Sequence, residues 1–225
     1  MKKLFIFLLI VTSLFYFTKC TLDVSVSNPE SFEKRGIDLS HHNKVTNWDS
    51  VAKTIDFVII KATEGSTFKD PCFKSYWRNA KKHNIIRGAY HFFKPGVPGD
   101  EQFENFKNTV NLSQGDFVPV LDVENKEADI NEVNKWLELA EKHYGVKPIL
   151  YTEYLFFKVL LEGDVKVDRL WIYLDKSYKL QPSFDNYDCV FWQYSHVGNV
   201  EGIDGPVDLD TFLCDEKKYQ ELMIK

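Results

Sequence analysis

Apolar runs alternate with amphipathic stretches along most of this chain. The clearest run is DFVIIKA at 56–62, rich in the β-branched residues typical of a buried strand. Six more runs share this character: RGIDLS (35–40), IIRGAYHFF (85–93), FVPVLDVE (117–124), KPILYTE (147–153), RLWIYLD (169–175) and CVFWQYS (189–195). Because helical stretches separate many of them, the pattern predicts a parallel sheet covered by helices.

Three of the intervening stretches, at 70–84, 99–110 and 129–145, have helical patterns. The first begins with Asp70 as a cap and Pro71 at the first helical position. The second is acidic in its first turn, as the helix dipole favours. The third carries an apolar stripe, and the glycine at its end can terminate it.

At least seven strands within about 190 residues favour a closed α/β barrel over an open sheet. Helical patterns become scarce after residue 165, where 176–188 and 195–206 have loop composition. We therefore expect an irregular TIM-like (β/α) barrel. No linker-like segment divides 35–225, so this range is expected to be a single domain, preceded by a short linker at 21–34.

The first 20 residues, MKKLFIFLLIVTSLFYFTKC, predict an export signal that stands apart from the fold. Their apolar part, 4–17, is shorter than the roughly 20 residues of a membrane-spanning helix. Cys20 resembles the lipidated cysteine of bacterial lipoproteins, although Lys19 departs from the small residue expected before it. The alternatives are membrane attachment through a lipid on Cys20, or secretion after a plain signal peptide.

Composition narrows the function classes. The net charge of −5 does not indicate the basic surface that nucleic-acid binding needs, so no nucleic-acid partner is expected. Export would permit a disulfide, and Cys189 and Cys214 are the nearer pair; buried free thiols are the alternative. The cysteines have no C-x-x-C spacing of the kind that binds metals.

Acidic residues end several of the predicted strands, where α/β barrels carry their function. Asp38 ends the first strand, Asp122 and Glu124 end the fourth, and Asp208 lies in PVDLDTF, a candidate last strand. Residues i and i+2 of a strand share a face, about 6.6 Å apart along it. Asp122 and Glu124 should therefore both face the barrel mouth, with Val118 and Val120 on their side.

Two adjacent carboxyls in a poorly solvated site favour opposite protonation states, because the charge on one raises the pKa of the other. Glycoside cleavage uses one protonated and one ionised carboxyl. The alternative is a pair of acids in a loop beyond the strand, or one bound to a nearby lysine.

Aromatic residues recur near the same strand ends. They include three i, i+2 pairs and one single tyrosine: Tyr90 with Phe92, Trp171 with Tyr173, Trp192 with Tyr194, and Tyr151. Rings with polar tips suit sugar faces, so part of this set is expected to line a groove and the rest to pack in the core.

The histidines and serines give weaker signals. His41 and His42 follow the first strand and could hydrogen-bond in the loop or reach a metal. His91 should face away from Tyr90 and Phe92 and be structural. No H-E-x-x-H motif is present, so no metal and no cofactor is expected. A serine hydrolase is not expected either, because no G-x-S-x-G motif occurs.

Several stretches together resemble the glycoside hydrolase family 25 lysozymes, which are peptidoglycan N-acetylmuramidases. The resemblance runs in order from about 35 to 213 through RGIDLSHHN, DFVIIKATEGSTFKDPCFKSYWRNAKKHNIIRGAYHFF, PVLDVEN, LYT, LWIY and FWQYS with GIDGPVDLDTF. It implies an irregular barrel of five β/α units and three further strands. It also implies hydrolysis of the β-1,4 bond between N-acetylmuramic acid and N-acetylglucosamine.

The resemblance further implies roles for individual residues. Glu124 is the general acid, Asp122 assists it, and Asp38 and Asp208 match family aspartates. The substrate-binding set is Tyr90, Phe92, Tyr151, Tyr194 and Trp171, with Gln193 the weakest member because strand parity turns it away from its neighbours. Two departures are Asp210, where asparagine is common, and Tyr173, where a small residue is common.

The expected partner is the glycan strand of peptidoglycan, bound by a monomer. A chitinase-like hydrolase is one alternative, but its D-x-x-D-x-D-x-E motif is missing. The others are a wall-binding module without turnover and a metal-dependent deacetylase using Asp38 with His41 or His42. The sequence leaves open whether the substrate's acetamido group or an enzyme carboxylate attacks the anomeric carbon.

Overall fold

The computed structural model describes residues 28–178 and 187–225. The predicted export signal at 1–20, with Cys20, lies outside this range, as do 21–27 of the linker and most of the 176–188 loop. The strands are β1 (Arg35–Leu39), β2 (Lys44–Val45), β3 (Phe57–Glu64), β4 (Phe68–Lys69), β5 (Ile86–Phe92), β6 (Val120–Asp122), β7 (Ile149–Glu153), β8 (Arg169–Tyr173), β9 (Asp188–Gly198), β10 (Ile203–Asp204) and β11 (Val207–Phe212).

Helices connect many of these strands. They are α1 (Trp48–Val51), α2 (Phe73–Lys82), α3 (Gly99–Lys107), α4 (Ile130–Tyr144), α5 (Tyr154–Phe156) and α6 (Glu216–Glu221). A 3₁₀ turn covers Pro29–Ser31, and a π-helical turn, Phe157–Leu161, continues α5. As predicted, α4 ends where Gly145 adopts φ of 70°, a left-handed conformation that glycine tolerates without strain.

The main sheet closes into a barrel. The order is β1-β11-β9-β8-β7-β6-β5-β3, and β3 pairs back onto β1. Only β11 runs antiparallel to its barrel neighbours among the described strands, and all other barrel pairs are parallel. The predicted irregular (β/α) barrel is therefore confirmed, with the additional strands at its closing edge.

Strand alternation builds two apolar layers. Residues that point outward, such as Val58, Leu121 and Val123, pack with the covering helices. Phe57, Phe191 and Phe212 point inward from their strands. Phe117, before β6, and Tyr219, on α6, join them and fill the lower barrel with rings. Because rings plug the lower barrel, the polar inward positions are confined to the upper end.

Strand β6 is shorter than the predicted 117–124. Pro119 has no N–H for the ladder, and the residues before it pair with the C-terminal tail instead. Phe117 bridges to Met223, and the Val118 N–H donates to the carbonyl of Leu222. The C-terminal tail therefore takes part in closing the lower end of the barrel.

One local prediction needs correction, and the alternatives for Cys189 are resolved. Helix α2 begins at Phe73, two residues later than predicted, so Asp70 is not its cap. The buried Asp70 carboxylate instead accepts from the N–H of Cys72 and from His41, which ties the loop after β1 to the start of α2. Cys189 is a buried free thiol, so the Cys189–Cys214 disulfide is not formed.

Candidate active site

A cavity of about 650 Å³ opens at the carboxyl ends of the barrel strands. Nearly every barrel strand or the loop after it contributes to its lining. The lining residues are Asp38, Ser40, His42, Asn43, Lys61, Tyr90, Phe92, Asp122, Glu124, Tyr151, Trp171, Tyr173, Gln193, His196 and Asp208. Acids and aromatic rings predominate, a combination suited to a polyhydroxylated ligand.

Asp122 and Glu124 share this cavity, as strand parity predicts. Asp122 is the last residue of β6 and is only 6% exposed. Glu124 lies two residues beyond it, and the intervening Val123 points to the outer apolar layer. Val123 still donates its N–H to the carbonyl of Tyr151, so the backbone keeps its extended path past the end of the strand. Glu124 thus lies at the cavity mouth, in reach of a ligand.

Both carboxyls bind protons more tightly than usual. Burial raises the pKa of Asp122 well above its ordinary range, and the charge of Glu124 raises it further. Burial also raises the pKa of Glu124, and the neighbouring Tyr151 hydroxyl offsets part of this rise. Lys61 lowers both pKa values, since a nearby cation favours the carboxylate. The deeper Asp122 is thus more strongly affected than Glu124.

Asp38 and Asp208 face this pair from the closing edge of the barrel. They are register partners on the antiparallel strands β1 and β11. Burial raises the pKa of Asp38 well above its usual range, followed by the charges of Asp208 and Asp210. Burial raises the pKa of Asp208 as well, although its interaction with Asp38 lowers it in part. The cavity therefore holds four carboxyls that cannot all be ionised at low cost.

Gln193 connects the two sides of the cavity. Its Nε2 donates to Oδ2 of Asp38 at 2.7 Å, and its Oε1 accepts from the Tyr151 hydroxyl at 2.6 Å. Gln193 is 5% exposed, so both bonds are shielded from water. The residue ranked weakest from the sequence thus has two partners among the cavity residues.

Tyr194 does not line the cavity, which corrects its placement. A register shift between Leu170 and Trp171, in the pairing of β8 with β9, puts a bulge near Val190. Beyond the bulge, Phe191 and Gln193 point into the barrel, whereas Trp192 and Tyr194 pack against the outer layer. The other predicted site residues, namely Asp38, Tyr90, Phe92, Asp122, Glu124, Tyr151, Trp171, Gln193 and Asp208, all line the cavity.

Lys61 lines the cavity but is not among the predicted site residues. It is 7% exposed, its Nζ lies 2.8 Å from Oε2 of Glu64, and it stands 4.6 Å from the ring centre of Phe92. A lysine inside an apolar strand pattern is rarely buried without a partner. The lone charge in FVIIKAT (57–63), with Glu64 three residues after Lys61, was the available signal.

The histidines divide between rim and core. His42 and His196 line the cavity, and Nδ1 of His196 lies 2.8 Å from the Tyr173 hydroxyl. His91 faces away, as predicted: it is fully buried between Thr63 and Gln102, and burial lowers its pKa to about 4. Within residues 28–178 and 187–225, no group of three or more His, Cys, Asp or Glu is arranged to hold a metal ion.

Comparisons with known proteins agree on one family. The model described as "Glycosyl hydrolases family 25" matches residues 37–203. The protein YegX of Escherichia coli (strain K12) is 37% identical over 209 residues, covering 88% of this chain and 76% of that protein. Lysozyme M1 of Streptomyces globisporus is 30% identical over 199 residues, covering 79% and 67%. The solved structure of a family 25 glycosyl hydrolase from Bacillus anthracis is 31% identical, with a TM-score of 0.77 over 86% of this chain and 95% of that one.

Proposed function

This chain belongs to family 25 of the glycosyl hydrolases, and we propose that it cleaves peptidoglycan with Glu124 as the general acid. The bond is the β-1,4 link between N-acetylmuramic acid and N-acetylglucosamine. The observation that carries the assignment is the convergence of Asp122, Glu124, Asp38 and Asp208 in one cavity lined with aromatic rings. Such a cavity can stack sugar faces and stabilise a developing positive charge.

Glu124 suits the role of proton donor. It stands at the cavity mouth, where a bridging glycosidic oxygen could approach it. Its raised pKa favours the protonated form at mildly acidic pH. Proton transfer to the leaving oxygen accompanies cleavage of its bond to the anomeric carbon, and positive charge develops on the muramoyl ring.

Asp122 suits the role of assisting the substrate's acetamido group. Its Oδ1 is buried and finds no hydrogen-bond donor among the described residues. An acetamido N–H placed there would give it one and would favour the ionised carboxylate. The acetamido carbonyl oxygen could then attack the anomeric carbon, and water would open the cyclic intermediate while Glu124 recovers its proton.

The acid assignment is tested by Glu124→Gln. The amide keeps the shape of the side chain but has no proton to give, so reducing-end release from purified peptidoglycan should fall by at least about a hundredfold. Glu127→Gln, on the exposed loop three residues later, is the matched control and should behave as wild type. Near wild-type turnover by a folded Glu124→Gln variant would disprove the assignment.

The bond is identified by mass analysis of the released fragments. A new reducing end on N-acetylmuramic acid is expected. A reducing end on N-acetylglucosamine, or faster turnover of chitin, would support a chitinase-like hydrolase instead. Binding to peptidoglycan without any fragments would indicate a wall-binding module. Release of acetate that stops with a chelator would indicate a metal-dependent deacetylase.

We further propose that the protein acts outside the cytoplasm. Support comes from the export pattern of residues 1–20 and from the location of peptidoglycan in the cell envelope. None of the helices within the described ranges is long and apolar enough to cross a membrane. Metabolic labelling with a fatty acid, in wild type and Cys20→Ser, would show whether Cys20 carries a lipid.

A further inference from the structure

The end of β8 carries a second aromatic ring above Trp171. Tyr173 is the last residue of β8 and lies two positions after Trp171, so both side chains point to the inside of the barrel. Trp171 is 2% exposed, whereas Tyr173 is only partly buried. Tyr173 lines the cavity, yet it does not belong to the predicted substrate-binding set. The Tyr173 ring therefore stands at the cavity mouth, where a ligand can reach it.

His196 holds this ring from the neighbouring strand. It lies on β9, which pairs with β8, and it also lines the cavity. Its Nδ1 lies 2.8 Å from the Tyr173 hydroxyl, and the two ring centres are 5.8 Å apart at an interplanar angle of 70°. A hydrogen bond and an edge contact thus fix the tyrosine before a ligand arrives, so little conformational entropy is lost on binding.

The pair lies to one side of the proposed general acid. Glu124 follows β6, and the barrel order from there is β6-β7-β8-β9. Because neighbouring strands lie about 4.8 Å apart, β8 is about 10 Å from β6. On the other side of β6, Phe92 ends β5 as the register partner of Asp122. Glu124 is therefore flanked at the mouth by two aromatic groups, Phe92 on one side and the Tyr173–His196 pair on the other.

We propose that the Tyr173–His196 pair is a platform for a sugar ring of the glycan strand, to one side of the cleaved bond. A partly buried tyrosine ring can stack on the C–H groups of a sugar while its hydroxyl stays bonded to His196. The platform is away from the bond that breaks, so it determines KM rather than kcat. The inference rests on the proposed function, since it names a further binding site for the same glycan.

Binding is measured by calorimetry in the Glu124→Gln background, with a soluble octasaccharide prepared from peptidoglycan as the probe. Tyr173→Ala removes the ring and should raise Kd about tenfold. Tyr173→Phe keeps the ring and loses only the hydrogen bond, so it should raise Kd by less than about threefold. Tyr178→Ala, at a 57% exposed tyrosine that is not a lining residue, is the matched control and should leave Kd unchanged.

Turnover of the same octasaccharide separates binding from chemistry. In the otherwise wild-type protein, Tyr173→Ala should raise KM about tenfold and change kcat by less than about twofold. An unchanged KM would overturn the proposal. A fall in both KM and Kd would overturn it too, because the ring would then narrow the groove instead of holding a sugar. A loss confined to kcat would show that the ring acts on bond cleavage, which also contradicts a platform.

The platform and the proposed function fail independently. If the wild type binds the octasaccharide without cleaving it, the proposed function fails, whereas a higher Kd in Tyr173→Ala still supports the platform. If Tyr173→Ala cleaves it with the wild-type KM, only the platform fails. Absence of binding by every variant would overturn both. Thermal unfolding of each variant confirms that the comparison is between folded proteins.

Discussion

At the scale of single residues, the cavity depends on polar side chains that hold one another. Gln193 is the clearest case, because the Asp38 carboxyl and the Tyr151 hydroxyl both use its amide. The Tyr151 hydroxyl is also near enough to Glu124 to lower the pKa of that carboxyl. Gln193 therefore links the acid at the mouth to the acid at the closing edge.

Gln193→Leu should destabilise the protein and impair it. The substitution keeps the approximate volume but leaves the Tyr151 hydroxyl and one Asp38 oxygen buried without this partner, at about 1–3 kcal/mol. Urea unfolding measures the loss, and reducing-end release should fall with it. Gln220→Leu, on the exposed face of α6, is the control and should stay within about 0.5 kcal/mol of wild type. Equal stability of the two variants would contradict the linking role.

At the scale of elements, α3 and α4 support the strands that carry the acids. Gln102 of α3 accepts from the Lys94 N–H and contacts Nε2 of His91, which holds the end of β5. Trp136 of α4 stacks on His91 at 5.7 Å between ring centres. The two helices are in direct contact where the Gly99 N–H donates to the Glu132 carboxylate at 2.6 Å.

Gly99→Ala should loosen this helix pair. A methyl group at Gly99 would lie 2.1 Å from the backbone oxygen of Glu132, so one helix must shift. Overpacking of this kind costs about 1–3 kcal/mol of unfolding free energy, measurable in urea. Glu101→Ala, exposed in the same first turn, is the control. An unchanged midpoint for Gly99→Ala would show that the helices adapt without cost.

At the scale of the whole molecule, the carboxyls of the cavity region lower the free energy of unfolding at neutral pH. Five carboxyls have raised pKa values, namely those of Asp38, Asp122, Glu124, Asp208 and Asp210. In the unfolded chain they lose their protons near pH 4. Between that pH and each folded pKa, the unfolded state binds fewer protons, so stability falls as pH rises.

The free energy of unfolding should therefore be lower at pH 8 than at pH 6.5. His91 acts in the opposite direction, since its pKa is lowered to about 4. The stability that His91 contributes rises with pH only up to about 6.5, the pKa of histidine in the unfolded chain. Above that pH, His91 no longer offsets the effect of the raised carboxyls. Urea unfolding at pH 5, 6.5 and 8 measures the trend, which Asp122→Asn should flatten. A steady gain in stability from pH 6.5 to 8 would contradict it.

The spacing of apolar and acidic residues along the chain predicted much of the fold and part of the site. The apolar runs located the barrel strands, because buried strands need apolar residues whatever their neighbours are. The spacing of Asp122 and Glu124 placed both in the cavity, since side chains alternate along any extended chain. Their shared face is a property of the backbone that no tertiary contact had to supply.

Only the tertiary structure decided where that alternation is interrupted. It also decided which distant segments pair with the strands. The bulge near Val190 turned Gln193 inward and Tyr194 outward, and a bulge reflects the pairing of two strands rather than either sequence. Phe117 likewise pairs with Met223 of the C-terminal tail, which lies far from it along the chain. The hydrogen bond from Gln193 to Asp38 joins residues from opposite ends of the barrel domain. The sequence by itself determined which side chains could share a face, whereas folding determined which faces meet, because meeting depends on contacts between residues far apart along the chain.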